Sequence, residues 1–156
     1  MTISNILLKK LVTPVYLACL LATLPSFADE LKDISNMAEQ GQKEAALKRI
    51  NTYLDANPND AQGMFMKGII QAESGKRDDA IKTFNRLSET YPSLPEPYNN
   101  LAVLYADAGE YDLAKQALET AINIYPSYAT AHENLGDIYA RMASEEYDKA
   151  LQLDAG

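Results

Sequence analysis

The residues of this 156-residue chain that could support metal chemistry centre on one histidine, His132. Glu133 follows it, as in the helical zinc-protease motif, where two histidines four residues apart bind zinc and the glutamate acts as the base. Gly136 stands where the second histidine would be needed. The only cysteine, Cys19, lies in an apolar N-terminal stretch, so too few nitrogen and sulfur ligands remain for a tetrahedral zinc site. We therefore predict that His132 is a packed residue on a helix face.

A second candidate for ion binding is the run from Asp55 to Asn59, where side-chain oxygens alternate as in the opening of a calcium loop. That loop needs glycine at its sixth position and glutamate at its twelfth. This chain has Asp60 and Met66 there, which favours a simple connection between two helices. The sequence also contains neither a glycine-rich phosphate loop nor a Gly-x-Ser-x-Gly elbow. It therefore predicts no catalytic residue, no metal and no cofactor.

The charge balance argues against nucleic acid and anionic lipid as partners. Lys and Arg total 14 against 22 Asp and Glu, which gives a net charge of −8. Nucleic-acid binding and docking on anionic lipid both depend on a surplus of basic residues, so we expect neither. The acidity is interpreted as a solvated surface, with selection of basic or polar partners as the alternative.

The N-terminal segment has the three parts of a secretory signal. Lys9 and Lys10 precede 14 uncharged, mostly apolar residues at positions 11–24, and Ser26-Phe27-Ala28 places small residues at the cleavage subsites. Residues 1–28 are thus predicted to be a signal peptide cleaved between Ala28 and Asp29. We expect an exported protein, in the periplasm rather than the medium, with a mature charge of −10 because two lysines and no acids are removed.

Two other interpretations of this segment are weaker. A retained membrane anchor would have to cross a hydrocarbon core of about 30 Å, and 14 helical residues reach only about 21 Å. A lipoprotein signal would use Cys19, but the apolar Leu20 and Leu21 follow where a polar residue is expected.

Everything after the signal follows a period of 34 residues. The recurring residues are Gly41, Gly75 and Gly109; Ala46, Ala80 and Ala114; and Pro58, Pro92 and Pro126. Such a period indicates stacked helical hairpins: the glycine ends the first helix in a left-handed conformation, the alanine allows close helix approach, and the proline ends the unit.

This pattern resembles the tetratricopeptide repeat family over nearly all of residues 29–154. The third unit carries the family pattern almost completely, in Tyr98, Leu101, Ala102, Tyr105, Ala114, Leu118, Ala121 and Pro126. The second unit has Lys67 and Gln71 where Leu and Tyr are usual, and the first helix of the first unit is degenerate. The resemblance implies an all-α, right-handed superhelical stack of antiparallel hairpins over residues 29–156, with units at about 29–60, 61–94, 95–128 and a partial unit at 129–154.

The partial unit lacks a turn glycine, since Ala143 occupies the expected position. We therefore predict one long capping helix from Ala129 to about Leu153, covering the exposed end of the stack. The residues expected to continue the apolar stripe of Leu135, Tyr139 and Met142 are Tyr147, Ala150, Leu151 and Leu153. The alternative is a shortened second helix after a tight turn at Ser144.

The resemblance also implies a concave groove lined by the first helix of each unit. The implied partner-binding residues are Asn100, Asn134, Asn99, Phe65, Ile69, Val103, Glu73, Asp107 and Asp137. Asn100 and Asn134 occupy equivalent slots where relatives grip a peptide backbone, although Asn is also simply common there. Relatives that bind acidic chaperone tails use Lys and Arg in the groove. This sequence has carboxylates, so we expect a partner that is not acidic.

The sequence and the resemblance together predict a non-enzymatic protein- or peptide-binding scaffold or adaptor of the cell envelope, with no membrane contact after signal cleavage. The alternatives are a self-associating structural scaffold and an accessory subunit of an envelope enzyme complex.

Overall fold

The structure is a computed structural model and describes residues 27–154, with only the backbone of residues 27 and 28. This range contains seven helices and no strand. They are α1 (Phe27–Glu39), α2 (Lys43–Ala56), α3 (Ala61–Glu73), α4 (Arg77–Thr90), α5 (Pro95–Ala106), α6 (Tyr111–Ile124) and α7 (Ala129–Asp154). The first six form three hairpins and α7 stands alone after them. The prediction of an all-α stack that ends in a long helix is confirmed.

The three hairpins close with the same glycine turn. Gly41, Gly75 and Gly109 have φ values of 80°, 72° and 75°, and residues that carry a Cβ rarely adopt such values. In the second hairpin the Gly75 amide donates to the Ala72 carbonyl at 3.0 Å, and the Lys76 amide donates to the Gln71 carbonyl at 2.9 Å. These two bonds satisfy carbonyls that the end of α3 would otherwise leave unpaired.

Small residues set the spacing within each hairpin. Ala46, Ala80 and Ala114 are all 0% exposed, as expected for the closest approach of paired helices. In the second hairpin Gly68 faces the ring of Phe84, and a Cβ on Gly68 would lie 2.6 Å from Cζ. Because that distance is far below van der Waals contact, only glycine lets α3 and α4 approach this closely.

The buried side chains form three clusters that follow one another along the stack. The first joins α1, α2 and Ile70 of α3, the second joins α3, α4 and α5, and the third joins α5, α6 and α7. The first buried residue of the first cluster is Leu31, so a chain of residues 29–156 contains all three clusters.

The run that resembled a calcium loop joins α2 to α3 through Asp60. The Asp60 carboxylate accepts hydrogen bonds from the Gly63 amide at 2.7 Å and from the Tyr53 hydroxyl at 3.3 Å. Asp60 therefore acts as the N-cap of α3, which satisfies one of the free amides at the start of that helix.

The final helix is continuous from Ala129 to Asp154, so the predicted long helix is confirmed and the alternative with a turn at Ser144 is wrong. The extent to which this helix covers the end of the stack differs from the prediction. Ala131 and Ile138 are buried against the third cluster, but every residue from 143 to 154 is exposed. At about 100° per residue, Tyr147 is roughly a third of a turn away from the inward face of Leu135, so it points away from the stack. The end of the stack is thus covered by the first half of α7 alone.

The predicted signal peptide, residues 1–28, lies outside the described residues except for the backbone of residues 27 and 28, which begins α1.

His132, which was predicted to be packed on a helix face, is exposed. Its Nε2 donates to the carbonyl of Pro126 at 2.9 Å. The ring therefore reaches back to the connection before α7.

None of the described helices combines the length and apolar character that a membrane span requires. Among residues 27–154, no group of three or more His, Cys, Asp or Glu side chains is arranged to hold a metal ion.

Candidate peptide-binding groove

The candidate groove runs across α3, α5 and α7 and contains two hollows. The first, of about 140 Å³, lies between α5 and α7 and includes four predicted site residues, Val103, Asp107, Asn134 and Asp137. The second, of about 300 Å³, lies between α3 and α5 and includes a fifth, Phe65. The repeat brings these residues together because the first helices of successive hairpins lie side by side.

The hollow between α3 and α5 is mainly apolar. Phe65, Leu94 and Pro97 form its walls, with Gln62 and Glu96 also lining it. The Phe65 ring is held by an edge-to-face contact with Phe84, with ring centroids 5.7 Å apart at 63°. This hollow could receive an apolar side chain of a partner.

In the hollow between α5 and α7, one hydrogen bond fixes a polar group. The Asn134 side-chain amide donates to Oδ1 of Asn99 at 2.9 Å. Asn99 is only 7% exposed, so its side chain has little surface left for direct contact with a partner. Its role is to orient Asn134, which retains a second amide hydrogen and its own Oδ1 for a ligand.

Asn100 occupies the same repeat slot as Asn134 but bonds differently. Its side-chain amide donates to the Glu96 carbonyl of its own helix at 2.9 Å. The residue 35 positions before Asn134 is Asn99, whereas the residue 35 positions before Asn100 is Phe65. Phe65 has no side-chain oxygen comparable to Oδ1 of Asn99, and the Asn100 amide bonds to its own helix instead.

The remaining predicted site residues lie in α3 and line neither hollow. Ile69 is half-buried and packs against the second core cluster. Glu73 is exposed, and Lys43 reaches it from α2, with Nζ 2.7 Å from the Glu73 carbonyl and 3.6 Å from Oε2. The sequence reasoning missed this lysine, which lies 30 residues away and offsets the acidic rim at this end of the groove.

The rest of the groove remains acidic. Asp107 and Asp137 are exposed at the hollow between α5 and α7, and Arg141 is the cation that lines the same hollow. Burial, and then the charge of Glu96, raises the pKa of Tyr128. Basic or neutral segments suit these charges better than acidic ones.

Two other features were missed from the sequence. Leu94 and Pro97 line the apolar hollow, and the prolines at the start of α5 could have indicated an open first turn there. A third hollow, of about 410 Å³, lies between α2 and α4 and includes Lys67, Lys82 and Arg86. Lys67 occupies a slot where leucine is usual, and this difference could have indicated the basic hollow from the sequence.

Family models match two stretches of the chain: one described as a tetratricopeptide repeat at residues 38–95, and one described as a TPR repeat at residues 104–142. The chain belongs to the tetratricopeptide repeat family. Among curated proteins, none matches this TPR protein.

Several solved structures share the fold at low sequence identity. A crystal structure of MamA is 20% identical, covering 84% of this chain and 80% of MamA, with a TM-score of 0.68. The first TPR domain of Spaghetti (RPAP3), bound to the HSP90 peptide SRMEEVD, is 16% identical, covering 75% and 93%, with a TM-score of 0.69. The Yersinia enterocolitica type III secretion chaperone SycD, in complex with a YopD peptide, is 16% identical, covering 74% and 93%, with a TM-score of 0.68. At these identities the likeness shows the fold alone.

Proposed function

We propose that this TPR protein is a non-enzymatic binding module that holds a segment of a partner protein in the groove across α3, α5 and α7. The observation that carries the proposal is the pair of adjoining hollows, one floored by Val103 beside the oriented amide of Asn134 and one walled by Phe65. An apolar floor with a few fixed polar groups is the usual composition of a ligand site.

The relatives support the class of partner. The RPAP3 domain is bound to an HSP90 peptide and SycD to a peptide of the translocator YopD. The charge of the groove differs from what the acidic sequence SRMEEVD would need, because Asp107 and Asp137 face the hollow between α5 and α7. The partner segment of this chain is therefore neutral or basic.

The recognition would combine three contacts. Asn134 offers an N–H and a carbonyl oxygen to the peptide backbone, and Asn100 keeps its Oδ1 free of the bond to Glu96. An apolar side chain of the peptide enters the hollow beside Phe65. A basic side chain interacts with Asp107 or Asp137, which speeds association and selects against acidic segments.

The experiment starts with affinity capture from an envelope extract, using residues 29–156 as bait, and continues with fluorescence anisotropy of the captured protein's peptides. Val103→Asp should weaken the best peptide at least tenfold, because a charge replaces the apolar floor. Leu113→Asp is the matched control, since Leu113 on α6 is 44% exposed and Val103 is 43% exposed. If both variants bind as tightly as the wild type, the partner uses another surface and the groove proposal is wrong.

The asparagines have a test of their own. Asn100→Ala with Asn134→Ala should lower peptide affinity several-fold while circular dichroism still shows a folded helical protein. Unchanged affinity would show that the two side chains do not grip the ligand.

Export to the cell envelope is the second part of the proposal. Its support is the layout of residues 1–28, with two lysines, an apolar run and small residues before Asp29. Expression of the full chain in a bacterial host, fractionation and mass spectrometry should find a periplasmic protein that begins at Asp29. An intact N-terminus in the cytoplasmic fraction would contradict export.

A further inference from the structure

The exposed side of α7 carries an apolar surface that nothing in the described structure covers. Its residues recur three and four positions apart, which places them on one side of the helix. They are Gly136, Tyr139, Ala140, Ala143, Tyr147, Ala150 and Leu151, and all seven are exposed. We call this surface the α7 face.

The repeat itself shows what normally lies on such a surface. Gly68 of α3 and Gly136 of α7 occupy the same slot, two periods apart. A Cβ on Gly68 would meet the ring of Phe84 from the second helix of its hairpin at 2.6 Å, whereas a Cβ on Gly136 would meet nothing within 4 Å. Within the described residues, no helix covers this slot of α7 as α4 covers it in the second hairpin.

In the described structure, the first half of α7 has a slot without a covering helix, whereas the second half is a helix without a surface to pack on. Residues 143–154 are helical but bury no side chain. A helical segment of about twelve residues gains little stability in water without packing. Its Tyr147 and Ala150 are three residues apart, the same spacing as Phe84 and Leu87, which are both fully buried in the second hairpin.

We propose that two copies of this chain pair through α7, in antiparallel orientation, so that the second half of each α7 supplies the covering helix for the first half of the other. The register follows from the α7 face: Tyr147 of one copy lies over Gly136 of the other, and Ala140 lies against Ala143 near the two-fold axis. The large residue meets the open slot in both halves, and alanines at the crossing let the helices approach closely. A self-complementary surface of this kind specifies a second copy of the same chain as its occupant.

The exposed area is sufficient for a weak, specific dimer. Tyr139, Tyr147 and Leu151 are 50%, 73% and 67% exposed. With the small residues between them, each copy would contribute roughly 500 Å², and the pair would bury about 1,000 Å², the lower limit for specific interfaces. The dissociation constant should lie in the micromolar range.

The charges of α7 make the dimer sensitive to salt. The helix carries six acidic residues, Glu133, Asp137, Glu145, Glu146, Asp148 and Asp154, and two basic ones, Arg141 and Lys149. Two copies therefore repel each other, and added salt screens the repulsion. Association should tighten as sodium chloride is raised from 50 to 500 mM, which is the opposite of a dimer held by ion pairs.

Sedimentation equilibrium on residues 29–156 tests the pairing. The wild type should dimerise reversibly, and Leu151→Glu should weaken the dimer at least tenfold because it places a charge in the apolar interface. Leu113→Glu is the control, since Leu113 is an exposed leucine on another helix. A wild-type protein that remains monomeric at about 200 µM, or a dimer that Leu151→Glu leaves unchanged, would overturn the proposal.

Two further variants test the register without disturbing the monomer. Gly136→Leu adds a side chain into open space in one copy but into Tyr147 in the dimer, so it should yield a stable monomer. A mixture of Gly136→Cys and Tyr147→Cys copies should form a disulfide on oxidation, whereas either variant alone should not, because the identical positions are about 16 Å apart along the paired helices. Cross-linking of either variant with itself would show a parallel or different interface and would rule out this pairing.

Discussion

Gly68 and Gly136 stand in the same slot of the repeat, yet one lies under a phenyl ring and the other faces open space. In the second hairpin, α4 presses Phe84 onto α3, so the absence of a side chain at position 68 is a packing requirement. Among residues 27–154 no helix covers α7 at position 136, and a Cβ there would meet nothing within 4 Å. The comparison shows that a repeat residue acquires its structural role from the neighbour that covers it.

The same difference separates the two halves of α7. Ala131 and Ile138 are buried where α6 lies against them, whereas Leu151 and Leu153 are 67% and 82% exposed. Apolar character alone therefore does not predict burial at the end of a repeat array. An apolar stripe at the end of an array marks a surface on which another helix can pack, as successive units do within the stack.

The largest expected effect is removal of the ring that covers Gly68. Phe84 is 0% exposed, and Phe84→Ala should lower the free energy of unfolding by about 3–5 kcal/mol, because it leaves a cavity beside a glycine that cannot fill it. Tyr147→Ala, in the uncovered region, should change the stability of the monomer by less than about 0.5 kcal/mol. Urea denaturation of both variants at a concentration well below the dimer dissociation constant is the measurement. Equal losses would remove the contrast between the two regions.

Substitution of the two glycines by alanine should give effects of opposite sign. Gly68→Ala forces a methyl group against the buried Phe84 ring and should cost about 2 kcal/mol, after allowing for the better helix propensity of alanine. Gly136→Ala meets nothing within 4 Å and should stabilise the monomer by about 0.5–1 kcal/mol. Thermal unfolding of the pair, followed by circular dichroism, is sufficient. A loss of stability for Gly136→Ala would show that this slot is covered in solution.

The two asparagines sharpen the comparison at the junction of α5 and α7. Asn134→Ala leaves the buried Oδ1 of Asn99 without its partner and should cost about 1 kcal/mol. Asn100→Ala, whose amide only bonds back to its own helix, should stay within about 0.5 kcal/mol of the wild type. Differential scanning calorimetry resolves the two. Equal changes would contradict the different hydrogen bonds that the structure gives them.

The smallest effect concerns alkaline pH. Burial, then the charge and the hydrogen bond of Asp60, raises the pKa of Tyr53. A pKa raised on folding means that the protonated phenol stabilises the folded state, so this contribution is complete below about pH 10 and is lost as pH rises through the folded-state pKa.

The unfolding midpoint should therefore fall above about pH 10, and less steeply in Tyr53→Phe than in the exposed control Tyr147→Phe. Some slope should remain in Tyr53→Phe, because burial also raises the pKa of Tyr128. Identical slopes in the two variants would show that Tyr53 does not contribute.

Much of the fold could be predicted from local chemistry. A glycine at 41, 75 or 109 predicts a left-handed turn because few other residues adopt that conformation, and the structure confirms all three. The groove was harder to predict. The prediction treated Asn100 and Asn134 as equivalent, but Asn134 bonds to Asn99, 35 positions earlier, whereas Asn100 bonds to the Glu96 carbonyl of its own helix.

The sequence by itself determined the helices, the turns between them and the 34-residue repeat, because these follow from backbone preferences and from small residues at fixed spacing. The tertiary structure decided which polar groups are paired and which apolar groups are buried within the chain. Asn99 is buried in a hydrogen bond, Glu73 is offset by Lys43, and the second half of α7 extends beyond the stack. The physical reason is that burial and pairing depend on neighbours about 30 residues away, and repeat slots of the same type do not always meet the same neighbour.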